Sequence, residues 1–180
     1  GETDPLTHRS EKFDRVLDKI ATVVEGHDRV VVFSQYLGML DLIERWLRQR
    51  EIAFIRIDGS TRHRQALVDR FDEGTIPVAL CSLRAAGMGL NLQSANHVIH
   101  TDRWWNPAIE DQATDRVHRI GQEKTVYVYY FIIEGTLEER IDALLEKKRE
   151  IADDIIAAST DRMGGWTREE LLEILQPLET

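Results

Sequence analysis

The 180-residue sequence has one cysteine and four prolines, and no apolar run approaches the ~20 residues that cross a bilayer. One cysteine cannot form an internal disulfide, which excludes the disulfide-rich secreted class of protein. No signal peptide opens the chain, and its first residue is Gly1, so we expect a piece of a longer intracellular protein. At about 150 residues per domain, the length predicts one domain with at most a small appendage.

A surplus of basic residues is also lacking, since 23 lysines and arginines stand against 32 acidic residues, a net charge of −9. This balance argues against a nucleic-acid partner. The distribution is uneven, however, because residues 137–180 carry 6 basic and 12 acidic groups. In residues 26–136, 12 of the 13 basic residues are arginines, which suit bidentate phosphate contacts. Composition alone leaves open whether these are ordinary surface arginines.

Short β-branched segments alternate with segments of helical periodicity. Strands are predicted at residues 30–33, 53–57, 78–81, 97–100 and 125–133, and helices at residues 10–25, 37–50, around 67–71, 107–120, from 136 and at 167–175. This alternation predicts an α/β fold with a mostly parallel sheet covered by helices on both faces. Ligands of such sheets bind at the carboxyl ends of the strands, where the polar loops of this sequence fall.

The most informative stretch runs from Gln112 to Gln122 and reads QATDRVHRIGQ. On a helix, Gln112, Arg116 and Arg119 share one face. Two guanidinium groups one turn apart can hold an anion with several oxygens, such as the terminal phosphates of a nucleotide. Local ion pairing with Asp115, four residues before Arg119, is the structural alternative.

Two further loops could carry chemistry. Residues 82–91, SLRAAGMGLN, offer backbone N–H groups, a hydroxyl and Arg84, but they match neither a dinucleotide nor a P-loop motif. Trp104 and its neighbour follow a strand, where they could stack on a sugar or base or anchor the loop in the core. No metal site is predicted, because His97 and His100 point to opposite faces of a strand and Cys81, expected to be buried, is alone.

Five motifs occur in the order seen in one family: FSQ at 33–35, DGST at 58–61, SLRAAGMGLNL at 82–92, WWNP at 104–107 and DQATDRVHRIGQ at 111–122. Over nearly its whole length, the chain resembles the C-terminal RecA-like lobe of Swi/Snf-type ATP-dependent DNA translocases of helicase superfamily two. The resemblance implies a RecA-like lobe over residues 1–135, including the N-terminal helix at 10–25. Residues 136–180 would form an acidic C-terminal helical extension.

The resemblance also implies roles for individual residues. Arg116 and Arg119 would act as arginine fingers on ATP, which the N-terminal lobe of the same protein would hold together with Mg²⁺. Gln112, Gly87 and Gly89 would lie on the nucleotide side of the lobe. The residues expected along the backbone of duplex DNA are Ser34, Gln35, Gly59, Ser60, Thr61, Ser82, Arg84 and Trp104. Such contacts to phosphate and sugar would not read sequence.

The sequence departs from the family pattern in three places. Arg84 stands where lysine is usual, Ala86 stands where glycine is common, and the segment from Thr61 to Arg64 is short. The first change keeps the charge but alters its geometry, the second leaves the local backbone less free, and the third leaves the role of Arg64 open.

These implications predict the C-terminal motor lobe of a double-stranded DNA translocase or remodeller, intracellular and DNA-associated, with no membrane partner. Alone, the chain lacks the nucleotide-binding motif GxxxxGK[ST] and should neither hydrolyse ATP nor bind it tightly. A protein displaced from DNA is a further expected partner, and remodelling, repair and polymerase displacement all stay open as tasks. The alternatives are a lobe of an RNA or single-strand helicase and a non-catalytic docking module.

Overall fold

The computed structural model describes residues 11–87, 89–103, 107–117 and 123–132, together with residues 143, 144, 146 and 147. The strands are β1 (Val30–Ser34), β2 (Phe54–Ile57), β3 (Val78–Ser82), β4 (His97–His100) and β5 (Tyr127–Tyr130). The helices are α1 (Glu11–Glu25), α2 (Leu37–Gln49), α3 (Arg64–Asp72), α4 (Leu83–Ala86) and α5 (Pro107–Asp115). The five strands form one parallel sheet in the order β2-β3-β1-β4-β5, which confirms the predicted α/β fold class.

Each face of the sheet is covered by a separate apolar cluster. Residues of β1 alternate between the faces, so that Val30 and Val32 pack with α1 and α2 while Val31 and Phe33 pack with α3, α4 and α5. Strands buried on both faces read as continuous apolar runs, which is why the VVVF segment predicted β1 correctly. Burying a side chain as large as Phe33 stabilises the fold by about 1.5–3 kcal/mol.

The register of the sheet brings the carboxyl ends of four strands to one edge. Ser34 lies opposite Ser82, and Phe33 lies opposite His100. The loops that follow β1, β2, β3 and β4 therefore leave the sheet side by side. This is the edge at which the sequence predicted ligand binding.

Two predicted elements differ from the structure. Helix α5 ends at Asp115 rather than near residue 120. The next two N–H groups bond carbonyls three residues back, Arg116 to Ala113 at 3.2 Å and Val117 to Thr114 at 3.0 Å, which is turn geometry. The Arg116 carbonyl accepts the N–H of Leu92 at 2.8 Å. Strand β5 spans only residues 127–130 because it lies at the sheet edge and pairs with β4 over four residues.

The predicted helices of the C-terminal extension lie outside the described residues, apart from the four residues at 143–147. The division into a lobe at 1–135 and an extension at 136–180 therefore stays a prediction. No helix in the described part of the chain is long and apolar enough to cross a membrane.

Candidate functional site

A groove of about 670 Å³ runs along the carboxyl-terminal edge of the sheet. Seven residues that the sequence assigned separately to DNA or to nucleotide line it together: Gln35, Gly59, Ser60, Ser82, Arg84, Gly87 and Gln112. The other described residues that line it are Leu37, Asp58, Leu83 and Ile109. The fold thus gathers most of the predicted contacts into one surface, from loops that are far apart in sequence.

The turn after β2 is organised by Asp58, whose carboxylate is nearly buried. Its Oδ1 accepts the N–H of Ser60 at 2.9 Å and the Ser60 hydroxyl at 2.6 Å, while Oδ2 accepts Arg56 Nε at 3.1 Å. Thr61 closes the turn, since its Oγ1 accepts the Asp58 N–H at 2.9 Å. The hydrogen bond from the Ser60 hydroxyl, together with Arg56, holds the pKa of Asp58 below its usual value. The turn that carries Gly59 is therefore formed before any ligand arrives.

Ser34 is fully buried and does not line the groove. Its hydroxyl donates to Asp102 Oδ1 at 2.6 Å and accepts the N–H of Tyr36 at 3.1 Å. Gln35, which does line the groove, is held by the same carboxylate, because its N–H donates to Asp102 Oδ2 at 3.1 Å. One carboxylate thus holds both Ser34 and Gln35, and the assignment of Ser34 to the DNA backbone stays a prediction.

The glycine-containing loop begins with α4, a single helical turn. Ser82 caps it, since its Oγ accepts the Ala85 N–H at 3.2 Å, and Arg84 is exposed on its outer side. A Cβ added at Gly87 would lie 3.7 Å from Gln112 Oε1, so this glycine and α5 are in close proximity. Gly89 has a φ of +81°, a backbone conformation that favours glycine.

Arg116 joins the end of α5 to this loop. Its Nε donates to the Ala86 carbonyl at 2.9 Å, and its own carbonyl accepts the N–H of Leu92 at 2.8 Å. Gln112 and Arg116 therefore both face the glycine loop, whereas the helical spacing predicted only that the two side chains share one face. Arg119 and Trp104 lie outside the described residues, and their assigned roles stay predictions.

The sequence did not predict a buried ion pair on the side of α5 that faces away from the glycine loop. Arg103 Nη2 lies 3.3 Å from Glu110 Oε2, with side chains that are 1% and 0% exposed. The Arg103 guanidinium also lies 4.0 Å from the centroid of the Tyr130 ring. The sequence shows only two charges seven residues apart, and their burial depends on how the loop and helix pack.

The two histidines of β4 do face opposite sides of the sheet. His97 Nε2 lies 3.2 Å from Asp28 Oδ2, and the Tyr129 hydroxyl lies 3.3 Å from His97 Nδ1. His100 Nε2 lies 3.1 Å from Thr114 Oγ1. Within the described ranges, no group of three or more histidine, cysteine, aspartate or glutamate residues could hold a metal ion.

A parallel sheet with a polar, arginine-bearing groove at its carboxyl edge defines an α/β lobe whose ligands bind at the ends of its strands. Residues 11–121 match the family model described as "Helicase conserved C-terminal domain", and the chain belongs to this family. It is 39% identical over 182 residues to the "Putative ATP-dependent helicase/translocase YwqA" of Bacillus subtilis (strain 168). That match covers 99% of this chain but only 19% of the relative, so the chain spans about a fifth of that protein.

Two solved structures have the same fold. The C-terminal part of the Fun30 ATPase domain matches with a TM-score of 0.71 and 38% identity, over 76% of this chain and 45% of that chain. The Sulfolobus solfataricus SWI2/SNF2 ATPase core in complex with dsDNA matches with a TM-score of 0.68 and 34% identity, over 93% of this chain and 34% of that chain. The resemblance to Swi/Snf-type motor lobes is therefore confirmed.

Proposed function

We propose that this chain is the C-terminal motor lobe of an ATP-dependent double-stranded DNA translocase, acting on DNA inside the cell. The observation that carries the proposal is the groove, in which residues assigned to DNA and residues assigned to nucleotide meet. Duplex DNA is the favoured ligand because the similar Sulfolobus core is described in complex with dsDNA. The lobe would work only with an N-terminal lobe of the same protein, and a protein displaced from DNA would be its target.

The DNA side of the groove suits a phosphate backbone. Arg84 is exposed and Gln35 carries an amide donor, while a Cβ at Gly59 would meet nothing within 4 Å. A sugar-phosphate strand can therefore approach the Gly59–Ser60 backbone closely. The carboxylate of Asp58 also lines the groove, but its oxygens are occupied by Ser60 and Arg56. Contacts of this kind hold DNA of any sequence, as a translocase requires.

The nucleotide side is the surface formed by Gln112 and Arg116. The bond from Arg116 Nε to Ala86 fixes the plane of the guanidinium, and we assign its terminal nitrogens to phosphate oxygens of ATP. Arg119 would be the second arginine finger. Gly87 and Gly89 would let the glycine loop lie close to the nucleotide. The N-terminal lobe would hold ATP and Mg²⁺, whose chemistry is to neutralise charge on the phosphates. An arginine finger typically contributes about 10³–10⁵ in turnover.

The proposal is tested by ATP hydrolysis of the full-length protein with duplex DNA, single-stranded DNA, RNA or no nucleic acid. Wild type should respond most strongly to duplex DNA, and Arg119→Ala should lose about 10³-fold or more of that turnover. Arg15→Ala is the matched control, because Arg15 is an exposed arginine on α1 that pairs with Glu11. Its turnover should equal that of wild type.

Other outcomes of this assay would support a different function or contradict a residue assignment. Stronger stimulation by RNA or single-stranded DNA would support a helicase lobe of the corresponding kind. Absence of hydrolysis under all conditions would support a docking module. Full turnover in Arg119→Ala would contradict the arginine-finger assignment.

A further inference from the structure

The segment α5 to Arg116 presents polar side chains in two opposite directions. Gln112 and Arg116 face the glycine loop. Glu110 and Thr114 face the end of β4, where Glu110 pairs with Arg103 and Thr114 lies 3.1 Å from His100. Residues two apart on a helix differ by about 200°, which explains why 110 and 112 face opposite sides. The side of α5 opposite to the one assigned to nucleotide thus makes polar contacts with His100 of β4 and with Arg103, which follows that strand.

The apolar contacts of α5 are too small to fix its position by themselves. Ala113 and Val117 are fully buried, and Ile109 is only partly buried. Small side chains allow a helix to slide or rotate more easily than interlocked large ones. The Arg103–Glu110 pair, with both side chains at least 99% buried, is therefore the contact that we expect to hold α5 in place.

Arg103 also contacts the DNA side of the groove through its main chain. Its carbonyl accepts Gln35 Nε2 at 3.2 Å, and the preceding residue, Asp102, accepts the Gln35 N–H at 3.1 Å. A single residue thus touches Gln35 with its carbonyl and Glu110 with its guanidinium. A DNA phosphate that displaces Gln35 would also displace Arg103, and through the ion pair it would move Glu110 and α5. Because both charged side chains are buried, water cannot replace either partner of the pair.

We infer that Arg103 and Glu110 are positioning residues that link DNA engagement at Gln35 to the nucleotide-facing side of α5. The inference rests on the proposed function and adds the route by which DNA would accelerate ATP turnover. The link is measured as the stimulation ratio, which is the turnover with duplex DNA divided by the turnover without it.

The test is the double variant Arg103→Met with Glu110→Met in the full-length protein. Removing one partner leaves an uncompensated buried charge, whereas replacing both with apolar side chains of similar length is often neutral for stability. We therefore expect a thermal midpoint close to that of wild type and a stimulation ratio lowered about tenfold, within the range usual for coupled sites. The KM for ATP is measured in the same assays, with and without duplex.

The matched control is Asp28→Asn with His97→Gln. It alters a polar pair that is also about 3 Å apart, 3.2 Å from His97 Nε2 to Asp28 Oδ2, but that lies at the amino end of β4, away from α5. This control should leave the stimulation ratio unchanged even where it lowers the thermal midpoint. If Arg103→Met with Glu110→Met has a low thermal midpoint, Arg103→Gln with Glu110→Gln takes its place, because it also removes both buried charges while keeping polar side chains at both positions. The same fall in the ratio is expected.

A variant with normal stability and a normal stimulation ratio would overturn the inference and leave the proposed function intact. An equal fall in the Asp28–His97 control would also overturn it, because the effect would then follow general stability. Absence of duplex stimulation in wild type would instead overturn the proposed function on which the inference rests. The failures of the two proposals are therefore distinguishable.

Discussion

Replacing Asp102 with alanine should loosen the join between β1 and β4 at the functional edge of the sheet. The carboxylate is 3% exposed and accepts three hydrogen bonds. Two come from the hydroxyls of Ser34 and Thr101, each at 2.6 Å, and one from the N–H of Gln35 at 3.1 Å. Alanine would leave the Ser34 hydroxyl and the Gln35 N–H without this acceptor, whereas the Thr101 hydroxyl can still donate to the Phe33 carbonyl, 3.4 Å away.

The cost follows from how many of the donors are buried. Ser34 is 0% exposed, and a buried donor left unsatisfied costs about 1–3 kcal/mol. Gln35 is partly exposed, so water can replace its lost acceptor. We therefore expect Asp102→Ala to lower the free energy of opening by about 1–3 kcal/mol. Asp102→Asn keeps one acceptor oxygen and should lose about half as much.

Native-state hydrogen exchange reports this opening locally. The Thr101 N–H, which bonds the Phe33 carbonyl at 3.1 Å, and the Gln35 N–H are the reporters. Amides of β2, which is separated from β4 by two strands, serve as the internal reference. An exchange free energy at Thr101 that changes by less than about 0.5 kcal/mol in Asp102→Ala would refute the reasoning, because that is the usual effect of a surface substitution.

Three further predictions concern stability and reactivity. Because the Ser60 hydroxyl lowers the pKa of Asp58, this carboxylate stabilises the fold above its unfolded pKa near 3.9 and the stabilisation is lost as pH falls through the lower folded value. The urea midpoint should thus fall more steeply between about pH 5 and pH 3 in wild type than in Asp58→Asn. Gly89→Ala should lower the free energy of unfolding by about 1–2 kcal/mol, because the φ of Gly89 is +81°. Gly38→Ala should be neutral or stabilising, because Gly38 lies in α2 with open space around it. Urea unfolding of the two variants measures both effects. Burial raises the pKa of Cys81 to about 12, so a thiol reagent should label it only as fast as the protein opens, and rapid labelling under native conditions would contradict the packing described.

The strands could be predicted because each carries its own local signal. The VVVF run of β1 and the HVIH run of β4 are buried on both faces, and continuous apolar or β-branched character is typical of that environment. The order of the strands was not readable, since it depends on how the connections cross the sheet. Local signals also overstated α5, whose last turn is altered by the distant N–H of Leu92.

The candidate site was predictable where motif residues face the groove and not where residues act from behind it. Gln35, Arg84 and Gln112 line the groove, as expected from their places at strand ends and on one helix face. The burial of Ser34 against Asp102 could not be predicted, because the two residues are 68 apart in sequence. The Arg103–Glu110 pair was missed for a similar reason, since only the packing of α5 reveals that both charges are buried.

We propose that this lobe helps move a motor along duplex DNA, and triplex displacement measures that movement directly. A third strand bound to a duplex is released when a translocase passes, and no duplex unwinding is required. We predict ATP-dependent release by the full-length protein, loss of release in Arg116→Ala, and normal release in Arg15→Ala. ATP-dependent unwinding of duplexes without triplex release by the wild-type protein would contradict the account.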